Sequence, residues 1–201
     1  MPEIPDIIPN QDVMKDEFGW EIPVETVPVP SEGKVYPQGT RLHNTKTLKI
    51  KAMTAREEDI LSSQALIKEG TVVTHLLQSC LTDRGVDVNN MLLGDRNALM
   101  ISVRITGYGS EYTADAQCPE CGKKSDQRFN LADLEIQRLT IDPVSPGENL
   151  FSFTLPVTKK VVNFRFLTGA DEINRTIAAE RKKKLMPGMR VEDNVTARLE
   201  Q

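Results

Sequence analysis

Histidine and cysteine are scarce in this sequence, and their scarcity limits the chemistry that the chain can perform. Two histidines and three cysteines occur among 201 residues. A nucleophile activated by a histidine base needs such residues close together, and the sequence also lacks a phosphate-binding Gly-x-x-x-x-Gly-Lys loop. The odd cysteine count, without a signal pattern at the N-terminus, is not that of a disulfide framework. The sequence therefore predicts a protein that is not an enzyme.

Long apolar runs and an excess of positive charge are also missing. No segment approaches the roughly 18 to 20 consecutive apolar residues that would span a bilayer, so we expect no membrane partner. The chain carries 25 basic and 29 acidic residues, for a net charge of −4. A basic stripe interleaved with aromatic residues is absent, so no nucleic-acid partner is expected. Nothing indicates a small-molecule substrate, and we expect synthesis in the cytoplasm.

Aromatic residues make up only 5% of the chain, but 39% of its residues are hydrophobic. That fraction is enough to bury a core, which aliphatic side chains must fill. The predicted fold class is α+β. Its parts, in order, are an extended proline-rich N-terminal arm, a central helical cluster, a β-hairpin of the zinc-knuckle type, a second β-hairpin and a C-terminal helix.

Proline is concentrated at one end of the chain. Seven of the twelve prolines lie in residues 1–40, and each removes a backbone donor and favours extended geometry before it. We predict an extended arm over residues 1–40, short of internal hydrogen bonds, before an α+β domain over residues 41–201. A disordered tail is the alternative. Apolar side chains in the arm favour contact with a neighbouring subunit, and the candidate partner-binding residues are Phe18, Trp20, Ile22 and Val27.

Residues 41–109 are predicted to be the mainly helical part. Thr54 and Glu57 have the spacing of a capping box, and the helix that they begin runs to Gly70, a natural C-terminal stop. The helix that follows has apolar residues at the spacing of a buried face. Cys80 lies on this apolar stripe, so we expect it in the core.

A third helix is predicted over "LLGDRNALMISVRITGYG", with Asp95 as its N-cap. Arg96 and Asn97 then fall in an exposed first turn. An arginine there can make bidentate contacts with a partner or with a nearby carboxylate. Arg96 and Asn97 are therefore candidate partner-binding residues, and a local ion pair that only fixes the helix start is the alternative.

The sequence period changes to two in residues 110–167. The stretch "EYTADAQCPECGKKSDQRFNL" predicts two strands joined by a turn that carries Cys118 and Cys121. A second hairpin is predicted where "FSFTL" and "VNFRF" alternate, with residues 156–160 as its loop.

The turn Cys118-Pro-Glu-Cys121-Gly has the form of a zinc knuckle, in which backbone N–H groups point at two thiolates. Zinc is the candidate cofactor, and no other is indicated. A structural zinc site needs four ligands, and Cys80 is the candidate third. His75 is predicted on the surface, on the side of its helix opposite the apolar stripe. A redox Cys-x-x-Cys is expected at a helix start, whereas the flanks here alternate like strands.

Residues 168–201 are predicted to be a C-terminal helical part. In "TGADEINRTIAAERKKKL" the acidic residues come first and the basic residues last, as the helix dipole favours, so the basic run 181–184 is expected in solvent. The last residues, "VEDNVTARLEQ", stop within a predicted helix. We therefore expect the natural chain to continue.

The order of these motifs resembles that of the T4-like bacteriophage baseplate protein family, which comprises baseplate hub or tail-assembly proteins of contractile-tailed phages. The resemblance lies in "VPVPSEGKVYPQGT", "AMTAREEDIL", "MLLGDRNAL", the Cys-Pro-x-Cys-Gly turn and "NLFSFTLP" with "VNFRFLTGADE", over about residues 28–181. It implies a structural protein of the virion tail baseplate, in the hub or its periphery. It also implies contacts with other tail proteins, through the arm and the helical core, as multiple copies in a symmetric assembly. The resemblance also implies that members often continue past the point where this chain stops and carry a second Cys-x-x-Cys there, which this sequence lacks.

Two other functions share these features. A tail or baseplate assembly chaperone that is absent from the mature virion would have the same sequence characteristics. A zinc-ribbon protein that binds nucleic acid is the alternative from another class, and the net charge of −4 disfavours it.

Overall fold

The computed structural model describes residues 12–15 and 19–185, which form helices and three antiparallel sheets. The mixed α+β class is thereby confirmed. The strands are β1 (Asp12–Lys15), β2 (Glu21–Pro28), β3 (Thr47–Lys51), β4 (Glu111–Gln117), β5 (Lys124–Asn130), β6 (Phe151–Thr154) and β7 (Val161–Phe164). The helices are α1 (Ala55–Ser62), α2 (Gln64–Glu69), α3 (Val72–Cys80), α4 (Leu93–Tyr108) and α5 (Gly169–Leu185). In the part of the chain described here, no helix has the length and apolar character of a membrane span.

The hydrophobic core lies between the sheet β1–β2–β3 and the helices α3 and α4. Successive side chains of a strand point to opposite faces, and β3 accordingly buries Leu48 and Ile50 while Lys49 between them is exposed. The apolar stripe of α3 packs against them. Cys80 belongs to this stripe and is fully buried, which confirms its predicted place in the core.

The predicted arm over residues 1–40 is not confirmed, because much of it is integrated into the domain. Strand β2 is the middle strand of its sheet and pairs with β1 on one side and β3 on the other. The segment that follows contributes Val29, Val35 and Tyr36 to the core. Proline loses only its donor, and the Pro23 carbonyl still accepts a hydrogen bond from the Ala52 N–H. Proline content therefore did not predict a lack of hydrogen bonding here.

The predicted helix from Thr54 to Gly70 is two helices, which meet at an extended Ser63. Serine side chains compete with the helical backbone for hydrogen bonds, and the Ser62 hydroxyl donates to the Asp59 carbonyl at this break. The capping box at Thr54 is confirmed. The stop at Gly70 is also confirmed, with the left-handed backbone that glycine favours.

The prediction that Asp95 caps the third helix is wrong. Helix α4 begins at Leu93 and its N-cap is Leu92, so Asp95 lies inside the first turn, where it is buried. Residues 167 and 168 fix this helix start, since Leu92 forms a β-bridge with Thr168 and the Leu93 N–H donates to the Leu167 carbonyl. Such a partner lies far away in sequence and leaves no local capping signal.

The remaining predicted elements are confirmed as secondary structure. Strands β4 and β5 form one hairpin and β6 and β7 form the other, both with antiparallel pairing. Helix α5 begins after Thr168. The prediction for the last residues of the chain lies outside the described residues, as does Phe18.

Glu57 is a fully buried carboxylate that connects β3, α1 and α3. Its Oε1 accepts hydrogen bonds from Lys51 Nζ at 2.8 Å and from the Ser79 hydroxyl at 2.6 Å. Its Oε2 accepts one from the Thr54 N–H at 2.9 Å. Burial alone would raise the pKa of Glu57, but these donors outweigh burial and hold its pKa at about 2.

Replacing Glu57 with Gln should remove a pH-dependent part of the stability. A carboxyl group with a lowered pKa stabilises the fold fully above its unfolded pKa, and this contribution is lost as the pH falls toward the folded pKa. We expect Glu57→Gln to lower the free energy of unfolding by roughly 2–3 kcal/mol at pH 7, with the difference disappearing between about pH 5 and pH 2. Urea unfolding at several pH values measures it.

Glu58→Gln is the matched control, since Glu58 is exposed on the same helix turn. It should leave the pH profile of stability unchanged. If the Glu57→Gln protein had the same free energy of unfolding as the original chain at every pH, the lowered pKa assigned to Glu57 would be contradicted.

Candidate docking surfaces and the charges that support them

Asp95 organises a buried polar network at the start of α4. Its Oδ1 accepts from the Ser31 N–H at 2.8 Å, and its Oδ2 accepts from the hydroxyls of Ser31 and Tyr36. The Tyr36 hydroxyl oxygen accepts in turn from the Leu92 N–H at 2.9 Å. Burial and the negative charge of Asp95 both raise the pKa of Tyr36. The network attaches the segment after β2 to the first turn of α4.

Arg96 was predicted in an exposed turn, and this prediction is wrong. Arg96 is only 3% exposed. Its Nη1 donates to the Val88 carbonyl at 3.1 Å and to the Thr74 hydroxyl at 3.2 Å, and its Nη2 lies 3.7 Å from Glu172 Oε2. The guanidinium therefore connects α3, the segment before α4, and α5. The alternative considered from the sequence, a local ion pair at the helix start, is not found either, because the charged partner of Arg96 is the distant Glu172.

Gly169 allows α5 to approach this guanidinium. Its N–H donates to the Met91 carbonyl at 3.0 Å, and a Cβ on Gly169 would lie 1.8 Å from Arg96 Nη1. No side chain fits at that distance. Glycine at this position thus fixes how α5 starts, and with it the base of the β6–β7 hairpin just before it.

The β6–β7 hairpin carries an apolar face that the core covers only at one end. The register pairs Phe151 with Phe164 and Phe153 with Val162, so all four side chains share one face. Phe151 is 1% exposed, but Val162 is 41% exposed and Phe153 is 54% exposed. We call the outer pair, Phe153 and Val162, the distal face.

The base of this hairpin is held firmly. The rings of Phe151, Phe164 and Phe166 form one cluster, with centroids 4.9 to 5.9 Å apart. Arg165 makes a bidentate ion pair with Asp171 in the first turn of α5, at 2.7 and 2.9 Å. This pairing holds the pKa of Asp171 well below its usual range. The distal face is therefore presented from a rigid base.

The β4–β5 hairpin projects differently, because both of its faces are exposed over nearly all of its length. Asp115 and Asp126 stand directly opposite each other, and like charges at such positions destabilise a strand pair. A two-stranded hairpin is marginally stable alone. The Asp115–Asp126 pair therefore weakens the hairpin, whereas the Tyr112–Phe129 pair nearer its base, with Arg104 over the Tyr112 ring, supports it.

The tip of that hairpin brings Cys118 and Cys121 together. The Gly122 N–H donates to the Cys118 carbonyl at 2.9 Å, and Gly122 has a left-handed φ of +69°. Hydrogen bonding by the N–H groups of Cys121 and Glu120 and by the Cys121 thiol lowers the pKa of Cys118. The tip is thus suited to hold a pair of thiolates.

Cys80 does not join this pair. It lies in the core beneath the sheet, where burial raises its pKa to about 11. His75 is exposed on α3, as predicted. Within residues 12–15 and 19–185, no three His, Cys, Asp or Glu side chains are grouped as metal ligands. Cys118 and Cys121 thus lie on one turn without Cys80, and zinc binding stays a prediction.

The candidate partner-binding residues fall into two groups. Ile22 and Val27 are buried within the chain itself, so their side chains belong to the core. Trp20 is 74% exposed just before β2. Asn97 is exposed on α4 and lies on the wall of an open groove of about 500 Å³ between β2, α4 and residues 131–137.

Sequence reasoning did not single out Phe153 and Val162 as contact residues. The alternation that makes them one face was visible in the sequence. What the pattern could not show is that the core reaches only Phe151 and leaves the rest of the face exposed. The signal that was available is the length of the apolar strand face, which exceeds what the core of the domain can bury.

The family of this chain follows from a comparison with protein families. The sequence model of a family described as "T4 bacteriophage base plate protein" matches residues 28–152. The chain belongs to this family. The baseplate match contains the Asp95 network, Arg96 and the whole β4–β5 hairpin, and it ends just inside β6. Comparisons with curated proteins and with solved structures found no match.

Membership of the baseplate family gives the chain a structural role in a phage baseplate. It places the protein in the virion tail baseplate and implies contacts with other tail proteins. A structural baseplate family also favours a non-enzymatic protein. The predicted resemblance to this family is confirmed.

Gly169→Ala should destabilise the fold. The added methyl group must displace the Arg96 guanidinium or the start of α5, and overpacking of this kind costs roughly 1–3 kcal/mol. Gly94→Ala is the control within a helix, because the same methyl group meets nothing within 4 Å there and should stabilise α4 by up to about 1 kcal/mol. Thermal unfolding of both variants measures the difference. Equal melting temperatures would contradict the close packing at Gly169.

Proposed function

We propose that this protein is a structural component of the hub, or its periphery, in the baseplate of a contractile-tailed phage. It binds a neighbouring tail protein through the distal face of the β6–β7 hairpin. The observation that carries the proposal is the pairing of a half-exposed Phe153 with Val162 on the face that Phe151 anchors in the core. Contiguous exposed apolar surface on a soluble domain commonly marks an interaction site.

The geometry of the hairpin suits a docking element. Its rigid base means that little conformational entropy is lost on binding, which favours affinity. Phe153 can act as an aromatic anchor, the type of residue that often dominates interface energetics. Backbone pairing of β6 with β7 orients the anchor before any partner arrives.

Charge next to the distal face indicates the chemistry of the partner. Lys159 and Lys160 lie in the loop that joins β6 to β7, and both are exposed. Neither makes an ion pair within the described residues. A partner surface with an apolar pocket and neighbouring carboxylates would complement both the face and its basic edge.

We also propose that the chain acts as multiple copies in a symmetric assembly, as its resemblance to the family implies. Each copy would then present one β6–β7 hairpin to a neighbouring tail protein. The exposed Trp20 lies in a separate part of the chain, before β2, and we keep it as a candidate for a second contact.

A charge on the distal face should prevent docking. Phe153→Glu replaces the anchor with a carboxylate on the apolar side, and loss of an aromatic anchor typically costs about 2 kcal/mol or more, which is roughly 25-fold in affinity. Ser152→Glu is the matched control, because it adds the same charge to the neighbouring residue on the opposite face. Incorporation of each variant into assembled baseplates, measured by quantitative mass spectrometry of purified particles, reports the effect.

We expect the Ser152→Glu chain in particles at the original level and the Phe153→Glu chain strongly depleted, with equal circular dichroism spectra for both. Equal incorporation would overturn docking through the distal face. The original chain in finished virions supports a resident component. Its presence in assembly intermediates alone would instead support the assembly chaperone.

A further inference from the structure

The Cys118–Cys121 tip is a built half of a metal site. The turn that carries both cysteines is held by the Gly122 N–H, which donates to the Cys118 carbonyl at 2.9 Å, and by the Gln117 side chain, which donates to the Gly122 carbonyl at 3.0 Å. Thiolate ligands are soft and favour zinc. Structural zinc is almost always held by four ligands in a tetrahedron. Two ligands are therefore missing from each tip.

No other cysteine or histidine of this chain is placed to supply them. All three cysteines and both histidines lie in the described residues. Cys80 is enclosed in the core, and His75 is on the surface of α3 outside any ligand cluster. Both ring nitrogens of His43 have partners, since Nδ1 lies 2.6 Å from the Tyr36 carbonyl and Nε2 lies 3.1 Å from Asn44 Nδ2, and His43 belongs to no ligand cluster within the described residues. The missing sulfur or nitrogen ligands must come from outside these 201 residues.

We propose that a zinc ion joins two copies of this chain tip to tip, with Cys118 and Cys121 of each copy as its four ligands. Two identical half-sites related by a two-fold axis form a closed, isologous contact. Each thiol loses its proton to solvent when it binds, so the complete site is a zinc tetrathiolate with four protons released. No redox step is involved.

The hairpin can reach a second copy without a clash between the two domains. Strand β4 has seven residues and therefore extends about 23 Å. The strands of the hairpin pair with each other and make few contacts with other described elements. The tip is thus held away from its own domain, where a second tip can approach it.

Charge at the tip also fits a tetrathiolate. Zinc with four thiolates carries a net charge of −2, which needs compensation. Lys123 and Lys124 follow the second cysteine directly, and Glu120 lies between the two cysteines. Two tips therefore bring twice as many lysines as glutamates, so their net positive charge offsets that of the site.

The test is the zinc stoichiometry and oligomeric state of the full 201-residue chain under reducing conditions. Native mass spectrometry after addition of zinc should show a dimer with one zinc ion per two chains. Cobalt in place of zinc should give the absorption bands of four-thiolate tetrahedral coordination. Because sharing couples metal binding to dimerisation, the apparent zinc affinity should rise with chain concentration.

Two variants separate the ligands from the fold. Cys121→Ser should lose both zinc and the dimer while the circular dichroism spectrum stays unchanged. Cys80→Ala should keep both, since Cys80 is not a ligand. If Cys121→Ser changes the circular dichroism spectrum, two further variants of the same turn are measured. Glu120→Gln should retain the dimer, and Cys118→Ser should lose it.

Several results would overturn the proposal. They are one zinc ion per monomer, no zinc at all, a Cys118–Cys121 disulfide that persists under reduction, cobalt spectra of two thiolates with water, or a Cys121→Ser chain that still dimerises. None of these results affects docking through the distal face. That proposal concerns the β6–β7 hairpin, and it is tested by measuring incorporation of the chain into baseplates.

Discussion

Adjacent buried charges at the start of α4 hold the domain together. Asp95 accepts from Ser31 and Tyr36 on one side of the helix. Arg96 donates to the Val88 carbonyl and the Thr74 hydroxyl on another, beside α5. Buried charges are costly unless they are paired or fully hydrogen-bonded. Because each of these charges finds its partners on a different segment, the segments are fixed relative to one another.

The negative charge of Asp95 also lies in the first turn of α4, where the helix dipole favours an anion. The helix itself thus helps to stabilise the carboxylate, which in turn positions the segment from Ser31 to Tyr36. Glu57 plays a similar part at the start of α1, where it joins Lys51 and Ser79. In both places a buried carboxylate in the first turn of a helix connects that helix to other segments by hydrogen bonds.

This arrangement separates stability from binding. The domain is closed by buried polar groups and an aliphatic core, and its two hairpins project from it with long exposed faces. One hairpin is stiffened at its base by aromatic packing and the Arg165–Asp171 pair. The other is exposed on both faces and carries thiols at its tip. Each hairpin can therefore acquire a partner without disturbing the core.

The sequence predicted local structure well where the signal was local. Alternation located both hairpins, helical spacing placed Cys80 in the core, and the capping box at Thr54 was correct. Prediction from the sequence failed where contacts with a distant segment determine the local structure. Asp95 and Arg96 have the polar character of a surface cap, and only pairing with residues 167 and 168, together with Gly169, turns that helix start inward.

Proline content misled for a related reason. Prolines in residues 21–28 suggested a chain without hydrogen bonds, but proline removes one donor and leaves its carbonyl and its neighbours free to pair. Whether such a segment joins a sheet depends on an available strand, here β3 on one side and β1 on the other. The apolar residues Ile22 and Val27 were correctly identified from the sequence as residues that must be buried. They are buried in the core of the chain itself and not against a neighbouring subunit.

The position of the family match adds a final constraint. Residues 28–152 contain the buried charges and the cysteine hairpin but only the first two residues of β6. Phe153, Val162 and the basic loop all lie beyond it. The base of the β6–β7 hairpin also lies mostly beyond the match, because Phe164, Phe166 and the Arg165–Asp171 pair all follow residue 152. The matched segment therefore contains the buried charges that connect the parts of the domain, whereas the β6–β7 hairpin depends on contacts made by the sequence after it, among them the close approach of Gly169 to Arg96.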